Sequence, residues 1–236
     1  MSYNYRIQYK KEKSLKFISH LDLISLFSRT LRRTQMAVTL TQGYNPRLKF
    51  SFSPALSLGI SGWQEYLDLC LEDDLDPKQV KEKINQVSPS GLAITRVKKI
   101  QRKDESLSKL IRWAVYLILF GLDESQNGNH EVQTRNWEKW FDLQIKFFLD
   151  RPIINAEKKT KKGLRQVDLK PYIQKMEYNS IKNDEVMIRL ILDIQTMGSI
   201  NPQIIVNTFL GQLREKSIWV KEIIREKLII EPKEKN

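Results

Sequence analysis

Tyr3-Asn4-Tyr5-Arg6-Ile7-Gln8-Tyr9-Lys10, followed by Phe17-Ile18-Ser19-His20-Leu21-Asp22-Leu23, decides how the first half of this chain folds. The first run alternates aromatic or aliphatic with polar residues. A period of two describes a strand with one buried and one open face. In the second run Ser19 and Asp22 stand three apart, in the Ser-x-x-Asp form of a capping box, so a helix starts at Ser19. Leu21, Ile24, Phe27 and Leu31 follow at spacings of three and four and read as its apolar stripe. Asp22, Arg29 and Arg33 point away from that stripe, and His20 falls at the edge of the core.

Outward from this start the pattern continues. Residues 36–41 read as a strand, and Gly43-Tyr44-Asn45-Pro46 as a turn. In residues 47–52, Leu48, Phe50 and Phe52 alternate with Arg47, Lys49 and Ser51. Residues 63–71 form a further strand with Leu67, Leu69 and Leu71 inward. Asp76-Pro77 opens a helix with the stripe Val80, Ile84 and Val87. Ser88-Pro89-Ser90-Gly91 stops it, and residues 92–100 return as a strand. The polar stretch 98–109 marks a boundary, after which a similar order recurs. Residues 113–120 make a strand, 121–134 a polar loop, and 135–149 a helix. Strand 151–158, the basic turn 158–163 and a short element over 167–178 follow, then strand 185–195, a helix from Asn201-Pro202 to 214, and an element over 219–230. The expected fold is α+β: two tandem ferredoxin-like (split βαβ) domains with antiparallel sheets, at 1–104 and 105–236.

Composition bounds the function. The 236 residues are 41% hydrophobic and 29% charged, a globular balance, with a formal charge of +12. Residues 1–50 carry ten basic residues against Glu12 and Asp22, so +8 of the +12 lies there. Such a concentration attracts an anionic partner, nucleic acid first. The single cysteine, Cys70, excludes an internal disulfide and a multi-cysteine metal or iron–sulfur site. With a first segment that lacks a signal-peptide core, it fits a cytoplasmic protein. The longest apolar run, 113–120, falls far short of the ~20 residues of a membrane helix. There is no Gly-x-x-x-x-Gly-Lys loop, no His-Glu-x-x-His and no Gly-x-Ser-x-Gly, which removes ATPase, zincin and α/β-hydrolase chemistry.

The candidate site lies in the first half. With helices on one face of the sheet, the other face displays Arg6, Gln8, Lys10, Arg47, Lys49 and Ser51, a basic surface suited to phosphates. Arg29, Arg32 and Arg33 add cations from the helix. Gln42, Gly43 and Asn45 form a turn whose N–H groups and amides can hold an anion. His20, at the positive end of a helix dipole, is disposed to stay neutral and can act as a general base; a purely structural histidine is the commoner alternative. Glu65 and Asp68 are read as partners of Arg or Lys in preference to metal ligands. No metal and no cofactor is assigned.

Phe17-Ile18-Ser19-His20-Leu21-Asp22, Leu31-Arg32-Arg33, Thr41-Gln42-Gly43-Tyr44-Asn45-Pro46, and Gly59 through Glu65-Tyr66-Leu67-Asp68 resemble a bacterial family, the radical-SAM-linked proteins. This is a domain of unknown function found alone or fused behind a cobalamin-binding-type radical SAM enzyme. The resemblance covers about residues 3–100 and departs from the family's pattern at Arg47-Leu48. It implies a radical SAM enzyme as partner. With only Cys70, the chain cannot hold that enzyme's three-cysteine cluster itself.

Three readings result. The first is an RNA-binding accessory protein that presents substrate to a radical SAM enzyme. In it, Arg29, Arg32, Arg33, Arg47 and Lys49 meet phosphates, while His20, Gln42 and Asn45 line a nucleotide pocket. The second is a metal-independent ribonuclease or RNA-modifying enzyme with His20 as base. The third is a protein-only adaptor.

Overall fold

The computed structural model describes residues 2–101, 106–122, 136–160, 163–182, 185–196, 198, 200–213, 215 and 217–230. The chain divides into two compact units, one of residues 1–111 with 225–236 and one of residues 112–224.

In the first unit, β1 (Tyr3–Lys11) buries Tyr5, Ile7, Tyr9 and Lys11 and half-exposes the residues between them. A 3-10 turn (Lys13–Phe17) leads to α1 (His20–Arg33). The expected capping box is present: the Asp22 N–H donates to Ser19 Oγ at 3.2 Å, and the Ser19 N–H to Asp22 Oδ2 at 3.3 Å. The buried stripe differs from expectation. It is Leu23, Phe27, Thr30 and Leu31, with Ile24 half-buried and Leu21 74% exposed. At ~100° per residue Leu21 lies about 120° round the helix from Phe27, outside the packed arc, whereas His20 lies within it. After Thr34, whose hydroxyl donates to the Leu31 carbonyl at 2.6 Å, Gln35 takes a positive φ of 57° and ends the helix.

The chain then runs as a narrow ribbon, closed by the Leu40–Leu48 bridge around the Gln42–Pro46 turn, before β2 (Phe50–Phe52). The regular strands expected over 36–41 and 47–52 are therefore shorter, although Leu48, Phe50 and Phe52 do face inward. β3 (Ser61–Leu71), α2 (Pro77–Val87), β4 (Leu92–Ile100) and the short α3 (Leu107–Leu110) complete this part. The strands pair antiparallel in the order β4-β1-β3-β2. Leu23, Phe27 and Leu31 of α1 and Val80 and Ile84 of α2 share one core with Tyr5, Ile7, Leu67, Leu69 and Ile94. Both helices therefore cover the same face of the sheet.

The second unit takes β5 (Ile111–Leu122) from Arg112 onward, α4 (Trp137–Leu149), the hairpin β6 (Asn155–Thr160) and β7 (Gly163–Asp168), β8 (Ile173–Lys182), β9 (Glu185–Asp193) and α5 (Pro202–Leu213). It also takes β10 (Ile218–Ile230) as far as Ile224; from Arg225 that strand belongs to the first unit. The strand order here is β10-β5-β9-β8. Phe120 meets Phe209 edge-on with ring centroids 6.2 Å apart, and Phe148 meets Phe209 at 5.3 Å. The element expected over 167–178 resolves into the end of β7, a 3-10 turn and the start of β8. The polar loop expected over 121–134, the lysines at 161 and 162, and the helix end at 214 lie, from residue 123 in the first case, outside the described residues. The fold is mixed α+β with mostly antiparallel pairing.

Candidate nucleic-acid interface

The turn between α1 and β2 is exposed along its whole length. Gln42, Gly43, Tyr44, Asn45 and Pro46 are all exposed, and Tyr44 is 100% exposed. Gly43 sits at φ 131°, where a side chain would be strained. The ribbon below the turn is tied by Thr41 N–H to the Arg47 carbonyl at 2.7 Å, Arg47 N–H to Thr41 Oγ1 at 3.0 Å, and Lys49 N–H to the Thr39 carbonyl at 2.7 Å. These bonds satisfy the ribbon's backbone groups up to the base of the turn.

Exposed cations lie on the ribbon and on the preceding helix. Arg47 and Lys49 are exposed on the ribbon, and Arg29, Arg32 and Arg33 are exposed on α1. Arg32 lines a depression with Leu40, Leu48 and Met36, which brings the helix end to the ribbon. Arg6, by contrast, is neutralised by Asp68 through two hydrogen bonds of 2.8 and 2.9 Å, as the reading of Asp68 anticipates. Among the described residues, none of the five cations on α1 and the ribbon makes an ion pair.

His20 stands elsewhere. Its ring packs edge-on against Phe52, centroids 5.4 Å apart. Burial lowers its pKa from the ordinary histidine value, and the positive charges of Lys11 and Arg225 lower it further, so the ring is neutral at neutral pH. Gln42 and Asn45 sit beyond the Leu40–Leu48 bridge, at the far end of the run that leads to Phe52. The structure groups His20 with Phe52, Lys11 and Arg225, and groups Gln42, Gly43 and Asn45 with Arg47.

Beside His20 lies a buried polar cluster. Glu65 is 2% exposed and accepts from Arg225 Nε at 2.7 Å and from its second nitrogen, so this acid is a salt-bridge partner, as expected. Arg225 also donates to the carbonyls of Pro54 at 2.9 Å and Ala55 at 3.3 Å. Lys11, 1% exposed, donates to the Ile18 carbonyl at 3.1 Å just before the start of α1. Burial lowers the Lys11 pKa, Glu65 opposes this, and Arg225 adds to it. Tyr9 is driven well above its ordinary value, first by burial and then by the charge of Glu65. Lys11 and Tyr9 both fall on the inward positions of β1, but a β-bulge between them shifts the register and sets Lys11 opposite Gly62. The alternation of β1, extended past Tyr9, places Lys11 inward, but its lysine identity hides this in sequence; Arg225, on a distant strand, carries no local signal.

Among the described residues no group of three or more His, Cys, Asp or Glu is placed to hold a metal ion, and no helix is long and apolar enough to cross a membrane.

No curated protein matches the sequence. Among solved structures, the chain is similar to a chain of a Cbf5–Nop10–Gar1 complex at 11% identity and TM-score 0.45, covering 95% of this chain and 48% of that one. It is similar to a chain of an H/ACA ribonucleoprotein bound to a substrate RNA at 12% identity and TM-score 0.43, covering 94% and 46%. An archaeal box H/ACA Nop10–Cbf5 complex gives 13% identity and TM-score 0.42, with the same coverage. The chain spans about half the length of those chains, and likeness of this degree carries no functional argument. The sequence itself is decisive about kinship: over residues 4–202 it matches the family described as uncharacterized protein conserved in bacteria (DUF2344), and the chain belongs to that family.

Proposed function

We propose that this chain is a cytoplasmic RNA-binding accessory protein that presents RNA to a radical SAM enzyme, and that its first unit provides the RNA-binding surface. The observation that carries the RNA reading is the set of five exposed cations, Arg29, Arg32, Arg33, Arg47 and Lys49, which make no ion pair among the described residues and stand on α1 and on the ribbon that carries the fully exposed Tyr44. Cations track a phosphate backbone while an aromatic face stacks a base, and together they hold single strands with little sequence preference. Gln42, Gly43 and Asn45 add donors beside that ring. The partnership with a radical SAM enzyme rests on the motif resemblance, and pull-down of the two chains tests it.

We further read each unit as ferredoxin-like, and take 1–104 and 105–236 as the two domains. Support comes from the same order of strand, helix, two strands, helix, strand in both units, and from the sheet orders β4-β1-β3-β2 and β10-β5-β9-β8, which correspond position for position. The β6–β7 hairpin is then an insertion after the first helix of the second unit.

Fluorescence anisotropy with a labelled single-stranded RNA tests the binding. Five phosphate contacts give a salt slope of about −3.5, so affinity falls about 100-fold between roughly 50 and 200 mM salt. Reversing Arg32, Arg33 and Arg47 to Glu abolishes most of the binding. Affinity that stays flat with salt, or survives the reversal, overturns the reading.

A second reading draws on the neutral, partly buried His20: a metal-independent ribonuclease or RNA-modifying enzyme with that ring as base. RNA cleavage present in the wild type and lost in His20→Ala supports it. Cleavage that persists in the variant removes it.

A further inference from the structure

The sheet of the first unit has a second basic feature, on the face away from the helices. There, Arg6, Gln8, Tyr66, Arg96, Lys98, Ile100 and Ile230 line a groove of about 310 Å³. The ladder explains why these residues meet. Gln8 is opposite both Tyr66 and Arg96, and Arg6 is opposite both Asp68 and Lys98, so one face of three adjacent strands displays them side by side.

The lining divides into a fixed part and an unfilled part. Arg6 is held by Asp68. The amide of Gln8 is locked: its Nε2 donates to Gln64 Oε1 at 3.2 Å and to the Tyr66 hydroxyl at 3.1 Å, while its Oε1 accepts from Thr95 Oγ1 at 3.2 Å. With the Tyr66 oxygen accepting from Gln8, the phenol's own proton is available to a ligand. Arg96 and Lys98 are exposed and make no ion pair among the described residues. Two positions apart on one strand, their Cα atoms stand about 6.6 Å from one another, on the same face. Ile100 and Ile230 supply half-buried apolar wall.

We propose that this groove binds one phosphorylated nucleotide. Arg96 and Lys98 hold the phosphate, the Tyr66 hydroxyl donates to the ribose or base, and the base lies against Ile100 and Ile230. The volume falls at the lower end of the range for small-ligand sites, ~300–1,000 Å³. Two unpaired cations beside an apolar wall fit a ligand with one anionic end and one flat apolar end, which neither inorganic phosphate nor a nucleoside alone supplies. The inference deepens the RNA reading, since a nucleotide of a bound strand is the natural occupant, but the groove is separate from the Tyr44 tip and can be tested by itself.

The test is an NMR titration of the isotope-labelled full chain with adenosine monophosphate, adenosine and inorganic phosphate in turn. The expected result is saturable shifts at residues 96–100 and 66 with the monophosphate, and at least tenfold weaker binding of adenosine and of phosphate. Arg96→Glu with Lys98→Glu lowers affinity for the monophosphate at least tenfold, and Tyr66→Phe lowers it a few-fold with the fold intact by amide spectrum. Equal binding of the monophosphate and inorganic phosphate overturns the proposal, as does binding that the double variant leaves unchanged. If RNA binds through the Tyr44 tip while the double variant changes nothing, the groove fails and the RNA reading stands. If the monophosphate binds in the groove and no RNA binds, the groove stands and the RNA reading fails.

Discussion

Arg225 and Glu65, 160 residues apart in sequence, form a bidentate ion pair in which each side chain is 2% exposed. The remaining donors of Arg225 reach the Pro54 and Ala55 carbonyls, so one guanidinium ties β10, β3 and the loop after β2 together. Inside a protein such a pair is valuable mainly when intact, because losing one partner strands a buried charge.

Arg225→Met therefore destabilises the first unit by about 3–5 kcal/mol, and Glu65→Leu by a similar amount. The double variant costs clearly less than their sum. Urea unfolding of the four proteins checks this as a double-mutant cycle; simple additivity would show that the pair is not a unit.

Gly62 is there because Glu65 needs the room. A Cβ at Gly62 would stand 2.7 Å from Glu65 Cγ and 2.8 Å from its Oε1. Gly62→Ala displaces the carboxylate from Arg225 and costs about 1–3 kcal/mol. In a Glu65→Ala background the same change is nearly neutral. An equal cost in both backgrounds would place the conflict in the backbone instead.

His20 makes stability depend on pH in one direction. Its folded pKa is depressed below the ordinary ~6.5, first by burial and then by Lys11 and Arg225. On acidification the unfolded chain takes up its proton first, so stability falls as pH drops from about 6.5 towards the folded value, and is regained as pH rises. Above about 6.5 the group contributes no slope. Proton NMR with His20→Gln for assignment should find this ring titrating below the ordinary value. A midpoint at or above that value would contradict the electrostatic picture, and would remove the neutral base that the enzyme reading requires.

Tyr44 separates binding from folding. It is fully exposed, so Tyr44→Ala leaves stability within about 0.5 kcal/mol. If its ring stacks a base, the same change weakens single-stranded RNA by about 1–3 kcal/mol, roughly 5- to 150-fold. Tyr44→Trp retains the affinity. Unchanged binding by the alanine variant would limit the interface to its cations.

Local chemistry wrote much of the fold into the sequence. The alternation in β1, the Ser19–Asp22 box and the Asp76-Pro77 start each depend on residues within one or two turns of each other, so composition and spacing reveal them. The same holds for the basic residues of α1 and the ribbon, because exposure follows from the period of the element. Where the periodic signal was broad, tertiary packing chose. Leu21 and Leu23 are equally apolar, but only Leu23 faces the sheet.

The groupings of side chains come from strand register and long-range pairing. Nothing near Glu65 in sequence announces Arg225, and nothing near Lys11 announces that a β-bulge will set it opposite Gly62. Arg96 and Lys98 look like ordinary residues of an edge strand until the antiparallel register sets them beside Arg6, Gln8 and Tyr66. His20 and the Gln42–Pro46 turn stand close together in the chain, yet the Leu40–Leu48 bridge carries the turn to the other end of the ribbon. Short-range periodicity and charge were enough to read most of the elements, the caps of α1 and α2 and a basic first half from the residues alone. The fold decided which side chains share a site, because strand register and long-range pairing bring together residues that no local pattern connects.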